Sequence, residues 1–389
     1  MTTDTNDFQA KEHRGRTESR VRGLMLGLAL GETLGATGGA AGDALPAAGT
    51  LRAGVATQLA CFTAEGIIRA MVRGAHKGIC HPPSVLWHAY CRWAALQGID
   101  QDRMAARWGT FSGGDWPDGW LAEVPALAAR RGTAPATVEA LSGGEQGTVD
   151  KPATTSRGWH ALGRTLPIAA LIGPRDVRFS IAQDREIAAL THGDPAAGSA
   201  AAHATMFLRC CIAGEGVVEA LRSALTALGP AEGPSDGPAV SAAEDEQRRL
   251  AAVLDRSSAD PADPGVLRRL APDPTAPSAL LGALYVAGSF PGHDQVRAAL
   301  RFASTAPDGA SVACTTGALL GAAHGAEALP LDLVSRHELG WVLDTLARDL
   351  VTEQFDSPSG SEYARGGDGT HTGGDGIRAG DRDDRVGAS

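Results

Sequence analysis

The sequence predicts an all-α protein, arranged as one large compact domain with tails. Apolar residues recur three and four apart through most of the chain, no segment sustains a two-residue alternation, and no internal repeat is visible. The 389 residues are 43% hydrophobic but only 5% aromatic, and include 50 glycines and 22 prolines. A core of that composition is built mostly from Ala, Leu, Val and Gly, which suits helices packed at close range.

Residues 1–18 are polar and mixed in charge, and are expected to be a disordered lead-in to a domain over 19–355. Helical text begins at Val21, where Gly27, Gly31 and Gly35 fall on one face and allow another backbone to approach. Residues 36–54 read as a Gly/Ala/Pro loop. The segment Thr57–Val72 is the clearest amphipathic helix. Its Leu59, Phe62, Thr63, Gly66, Ile67, Ala70 and Met71 keep the helical spacing, and the Thr57 hydroxyl is placed to cap it. Helices are expected over 84–98 and 121–131, an irregular stretch over 132–160, and helices over 162–172, 182–192 and 197–228. Two stretches, 229–243 and 257–278, are rich in Pro, Ala, Asp and Ser and read as flexible surface loops around one short charged helix. Helices resume over 278–288, 293–304, 311–324 and 331–353, and the Gly/Asp/Arg-rich stretch 356–389 reads as a disordered tail.

A net charge of −10 argues against a nucleic-acid coat or a polybasic membrane anchor. No apolar run is expected to reach the roughly 18–20 residues of a membrane span, and the polar N-terminus lacks the apolar stretch of a signal peptide. The six cysteines form no Cys-x-x-Cys pair, so reduced thiols and a cytoplasmic location are the expectation. Cys80, His81, His88 and Cys91 have the composition of a zinc set, but their spacing matches no common zinc motif and Pro82–Pro83 interrupt them.

Five segments carry residues suited to chemistry. Gly27–Gly39 (GLALGETLGATGG) is either a helix contact or a helix end that delivers Glu32 into a cleft. Gly54–Ala70 (GVATQLACFTAEGIIRA) opens a helix whose first N–H groups can hold an anion. Ser156–Arg164 (SRGWHALGR) places small residues and two arginines before a helix, as a diphosphate cradle or as a plain loop with solvated arginines. Ala189–Pro195 (ALTHGDP) sets His192 at a helix end, and Asp308 opens the Ala/Gly-rich helix that follows, most simply as its cap.

Taken in this order, the five segments resemble the ADP-ribosylglycohydrolase family, which includes the dinitrogenase reductase-activating glycohydrolase and the ADP-ribosyl-acceptor hydrolases. The resemblance runs from about Arg20 to Leu350. Its most specific parts are Thr57-Gln58-Leu59 leading into FTAEGIIRA, and GTVDKPATTSRGWHALGRTLPIA, which is similar to the family's phosphate loop; ALTHGDP and GALLGAAHGAEALP complete the set. The resemblance implies a compact all-α domain. It also implies two magnesium or manganese ions that assist cleavage of the bond between ADP-ribose and a protein side chain or small acceptor.

The metal-holding positions depart from that pattern. Where the family has Thr/Ser-Asp-Asp-Thr, this chain has Gly54-Val55-Ala56-Thr57, and where it has Asp-x-Asp-Ser/Thr, this chain has Asp308-Gly309-Ala310-Ser311. The usual Gly-Asp-Ala-Leu-Gly is Gly31-Glu32-Thr33-Leu34-Gly35, and the acidic residue expected a few positions later is Gly39. Magnesium needs hard oxygen ligands, and two adjacent cations need clustered carboxylates to offset their charge. Thr57, Asp308 and Ser311 are the residual metal-ligand candidates and Glu32 the candidate catalytic group; Asp43 has no spacing to recommend it as a substitute. The expectation is therefore a metal-depleted member, non-catalytic or weakly active, with magnesium, manganese or no cofactor. It would recognise ADP-ribose or an ADP-ribosylated partner through Ser156, Gly158, Trp159, Gly163, Arg164 and His192. Two alternatives stand beside it: an active metal-dependent hydrolase with a rearranged site, and a pure protein-interaction module whose cleft is filled by Trp159.

Overall fold

The computed structural model describes residues 2–356 apart from 38–48, 110–115, 172–176 and 229–237. The tail expected at 356–389 lies outside the described residues from 357 on, as do most of the 36–54 loop, with Gly39 and Asp43, and the first part of the 229–243 loop. Among the described residues there is no β-strand, only isolated bridges at Leu51–His337 and Gly158–Thr275.

The first helix, α1, spans Thr2–Ala36 and corrects the expected lead-in at 1–18. Glu12 and Arg16 pair at i,i+4, Arg14 grips Asp356 with two N–H groups, and Arg348 reaches Glu18. A helix half held by ion pairs shows no apolar periodicity, so its composition resembled disorder. Next come α2 (Val55–Lys77), α3 (Pro82–Leu96) and a short α4 (Gln101–Trp108) that the pattern did not reveal. The helix expected over 121–131 breaks at Pro125 into a 3₁₀ turn and α5 (Pro125–Ala128), and α6 (Pro135–Gly143) falls inside the stretch expected to be irregular.

The chain continues through α7 (His160–Thr165), α8 (Val177–Ala189), α9 (Pro195–Ala213) and α10 (Val217–Leu228). The single helix expected over 197–228 is split at Gly214, whose φ of 120° no ordinary helix accepts. The short charged helix is in fact the long α11 (Pro238–Ala259). The loop expected over 257–278 contains α12 (Pro264–Leu270), capped by the Asp263 carboxylate on the Val266 N–H. Then follow α13 (Ala276–Ser289), α14 (Val296–Ala303), α15 (Gly309–His324), α16 (Leu331–Val334) and α17 (Gly340–Phe355).

The centre of the fold is the pairing of α1 with α15. Gly23, Gly27, Gly31 and Gly35 face Gly321, Gly317, Ala313 and Gly309 in register. A Cβ added to Gly27 would lie 2.1 Å from the Gly317 carbonyl oxygen, and one added to Gly317 would lie 2.0 Å from that of Gly27. Backbone meets backbone here, so no side chain can yield. The start of α2 touches α1, and its length packs on α3, α7 and α17. By length and apolarity α2 is sufficient to cross a membrane, contrary to the sequence expectation, yet 94% of its apolar window is buried inside this fold.

The ladder makes a direct prediction. Gly317→Ala lowers unfolding stability by about 3 kcal/mol, because the methyl group meets a carbonyl that cannot move. The urea midpoint checks it: a shift of less than a third of that size means the two helices separate easily.

Candidate functional site

The α1–α15 ladder brings Glu32, between Gly31 and Gly35, toward the start of α15 and the start of α2. Glu32 is 4% exposed. Its Oε1 accepts the Ala56 N–H at 2.9 Å, and its Oε2 accepts the Thr57 N–H at 2.8 Å and the Thr57 hydroxyl at 2.5 Å. The cap expected from Thr57 is therefore corrected. The helix begins two residues earlier, at Val55, and it is Glu32 from another helix that satisfies its first N–H groups. Burial pushes the Glu32 carboxyl above the usual range, and the hydrogen bonds from Thr57, Ala56 and Gly54 pull it part of the way back.

Neighbouring residues hold the segment before α2 in place. Thr33 donates to the Arg52 carbonyl and meets His337 Nε2 at 3.2 Å. Because His337 Nδ1 accepts the Leu339 N–H, Nε2 carries the proton and donates to Thr33. Glu338 accepts from the Ala53 N–H at 2.8 Å and from Arg131 at 2.9 Å.

Asp308 stands at the N-cap position of α15, as expected, but its side chain makes no capping hydrogen bond. Ser311 is fully buried and donates to the Asp308 carbonyl at 3.0 Å. Asp308 Oδ2 is buried without a hydrogen-bond partner, and burial raises this carboxyl despite the nearby Ser311 hydroxyl.

The loop before α7 brings four expected ligand residues together. The Ser156 hydroxyl accepts the Gly158 N–H at 3.2 Å, and the Thr154 hydroxyl accepts the Ser156 N–H at 3.2 Å. A Cβ on Gly158 would lie 3.4 Å from His192 Nε2 and 3.3 Å from Ser156 Oγ. His192 is buried, and its Nδ1 meets the Thr191 hydroxyl at 2.8 Å. Trp159 is 8% exposed, stacks on His160 at 4.5 Å, and lies over Gly163, where an added Cβ would be 2.8 Å from the indole. That same position is 3.2 Å from the Ala56 methyl, so the indole reaches toward the start of α2.

Gly163 and Arg164 depart from the expected roles. Gly163 makes room for Trp159. Arg164 is fully buried and donates to the Tyr90 hydroxyl, the Ile187 and Ala188 carbonyls and the Thr191 hydroxyl. It closes the C-terminal end of α8, where a cation complements the helix dipole, and is not offered to a diphosphate. Arg157, half-exposed and 3.9 Å from Asp194, is the arginine at the rim.

The four residual positions offer two carboxyl groups and two hydroxyls, most of them already hydrogen-bonded within the chain. Glu32 and Thr57 satisfy each other, the Ser311 hydroxyl is committed to a backbone carbonyl, and one orphaned oxygen of Asp308 remains. Among the described residues no group of three or more His, Cys, Asp or Glu side chains is arranged to hold a metal ion. The zinc-like residues near position 88 have surroundings of their own. His88 accepts from the Trp116 indole, His81 pairs with Ser84, and Cys91 is buried as a thiol.

Sequence reading missed a second buried cluster. Glu65 on α2 pairs with Arg69 and with Arg92 of α3, and Arg69 pairs with Asp118 at 3.0 Å. All four are nine-tenths buried or more. The signal was present: Glu65 and Arg69 sit four apart in an otherwise apolar helix, where a lone charge would be costly and a paired one is not.

The ADP-ribosylglycohydrolase family model matches residues 13–359. The chain belongs to this family. Among solved structures it is similar to one described as an ADP-ribosylglycohydrolase-related protein complex, at 19% identity and a TM-score of 0.50, covering 87% of this chain and 98% of that one. That likeness concerns the fold alone. No curated protein matches. Membership agrees with the order of the five motifs, and the metal-dependent character of the ADP-ribosylglycohydrolases contrasts with the donor set found here.

Several imidazoles in and around the site are neutral. Burial pushes His337 and His160 down to about 4, with Arg164 adding to the effect on His160. Burial also takes His192 well below the ordinary histidine value, with Arg164 and His160 adding to it. Between about pH 4 and 6.5 the unfolded chain thus binds more protons at these residues than the folded one, so they make stability rise with pH across that window. His337→Gln flattens this rise by on the order of 3 kcal/mol at most. Urea midpoints of both proteins at pH 4.5 and pH 7.5 measure it, and equal pH dependence in the two means His337 titrates in the fold as it does in the unfolded chain.

Proposed function

We propose that this chain is a non-hydrolytic ADP-ribosylglycohydrolase that recognises ADP-ribose, free or attached to a partner protein, without divalent cations. One observation carries the proposal. At the family's metal-holding positions Glu32 and Thr57 are spent on each other and Ser311 on a backbone carbonyl, which leaves the Asp308 carboxyl as the one group still open to a cation. Nothing in that set activates a water molecule or offsets the charge of paired cations. The recognition half is supported by the loop before α7, where Ser156, Gly158, His192 and the half-exposed Arg157 share one rim.

A second reading has an observation of its own. Trp159 packs over Gly163 toward Ala56, and an indole in that place favours a protein-interaction module that binds no nucleotide.

Calorimetry separates the two. ADP-ribose titrated into the protein binds in the micromolar range, with the same affinity in magnesium and in chelator, and Arg157→Ala weakens it about tenfold by removing a charge-assisted contact. Incubation with ADP-ribosyl-arginine, ADP-ribosyl-serine and O-acetyl-ADP-ribose releases no ADP-ribose. Absence of heat at millimolar ligand leaves the interaction module, and metal-dependent turnover would return the chain to the hydrolases.

A further inference from the structure

Glu32 and Gly54 depart from the family pattern in opposite directions, and the two departures fit each other. Position 32 carries a carboxylate one methylene longer than the usual aspartate; position 54 carries no side chain where the pattern has Ser or Thr. The extra methylene takes the carboxylate across to α2, and the missing side chain leaves room for it. A Cβ on Gly54 would lie 2.2 Å from Glu32 Oε1 and 2.3 Å from its carboxyl carbon. Backbone conformation does not require glycine here, because φ −88° and ψ −174° are ordinary extended values. What requires it is the carboxylate of Glu32.

We propose that Glu32 and Gly54 form a matched pair that seals the N-terminal end of α2 with an internal carboxylate, in place of any ion from solution. Both carboxylate oxygens accept hydrogen bonds from the first turn, so the N–H groups that attract anions at a helix start already have their partner. The carboxylate lies in the body of the fold, close to the fully buried Cys61 and Cys314. An ion from solution would have to displace a covalently attached group that loses little entropy on binding. The pair ties α1 to α2 whether or not cations are present. This inference rests on the metal-free reading given above, and it is tested separately.

Thermal unfolding of the full chain tests it, with Glu32→Ala, Gly54→Ala and the double variant compared in a cycle. Wild-type Tm is unchanged between 10 mM magnesium (about a cytosolic excess) and chelator, since a cation that does not bind the fold cannot stabilise it. Glu32→Ala lowers Tm by about 4 °C or more, through loss of the buried hydrogen bonds from Ala56 and Thr57. Gly54→Ala lowers Tm comparably in wild type but has almost no effect when Glu32 is already Ala, because the colliding group is gone. Should Glu32→Ala fail to fold, Glu32→Asp takes its place in the cycle. Equal cost of Gly54→Ala in both backgrounds overturns the matched pair and leaves the recognition proposal standing. A magnesium-dependent rise in wild-type Tm overturns both.

Discussion

The approach of α1 to α15 is the constraint from which the site follows. Glycine meets backbone at four successive turns, so the two helices have one register and one separation. A one-residue slip would drive a Leu or Ala side chain into a carbonyl group. That fixed register sets Glu32 against the start of α2 and places Asp308 and Ser311 at the adjoining end of α15. The candidate site of this fold is thus positioned by residues with no functional groups at all.

Charge inside such a closely packed body has to be answered locally, and the chain answers it in two ways. On α2 and α3 the carboxylate of Glu65 is matched by Arg69 and Arg92, with Asp118 completing a network of two positive and two negative groups. At Glu32 the answer is a helix start and a hydroxyl. The Glu32 contact fixes the start of α2, and the Glu65 network fixes its middle. Removing a single member of either strands a partner in low dielectric, whereas the intact sets are nearly neutral in their surroundings. The same helix therefore carries its apolar core role and two satisfied polar anchors.

Much of this was legible in the sequence, where the signal was periodic. The face of Gly27, Gly31 and Gly35 announced a backbone contact, and the spacing from Leu59 to Met71 announced α2. The lead-in was misread because ion pairs such as Arg14–Asp356 join residues 342 apart and leave no local trace. Gly214 and Pro125 split expected helices through their own backbone geometry, which periodicity alone does not weigh. Around the candidate site, Ser156, Gly158, Trp159 and His192 lie together as expected, but the partners of Arg164 and Thr57 were not foreseen. Arg164 beside a glycine-rich loop suggests phosphate until one sees that α8 ends beneath it. Thr57 at a helix start suggests a cap until one sees Glu32 arriving from another helix. Both errors have the same source: a side chain's partner is set by tertiary packing, and one chain read in line contains no record of it.

The two polar regions of the candidate site differ in how readily they can be opened. In the loop before α7 the N–H groups of Ser156 and Gly158 are held by the hydroxyls of Thr154 and Ser156. Such a hydroxyl rotates away at the cost of a weak neutral hydrogen bond, roughly 1 kcal/mol, and an incoming phosphate oxygen offers a charge-assisted bond in exchange. At α2 the occupant is a carboxyl group attached to the chain, with both oxygens already hydrogen-bonded, so a ligand gains little by replacing it. On the proposed function this asymmetry has a consequence. A ligand can be admitted at the Ser156–Gly158 rim while the neighbouring slot stays shut, which separates recognition from hydrolysis on one scaffold without changing its fold.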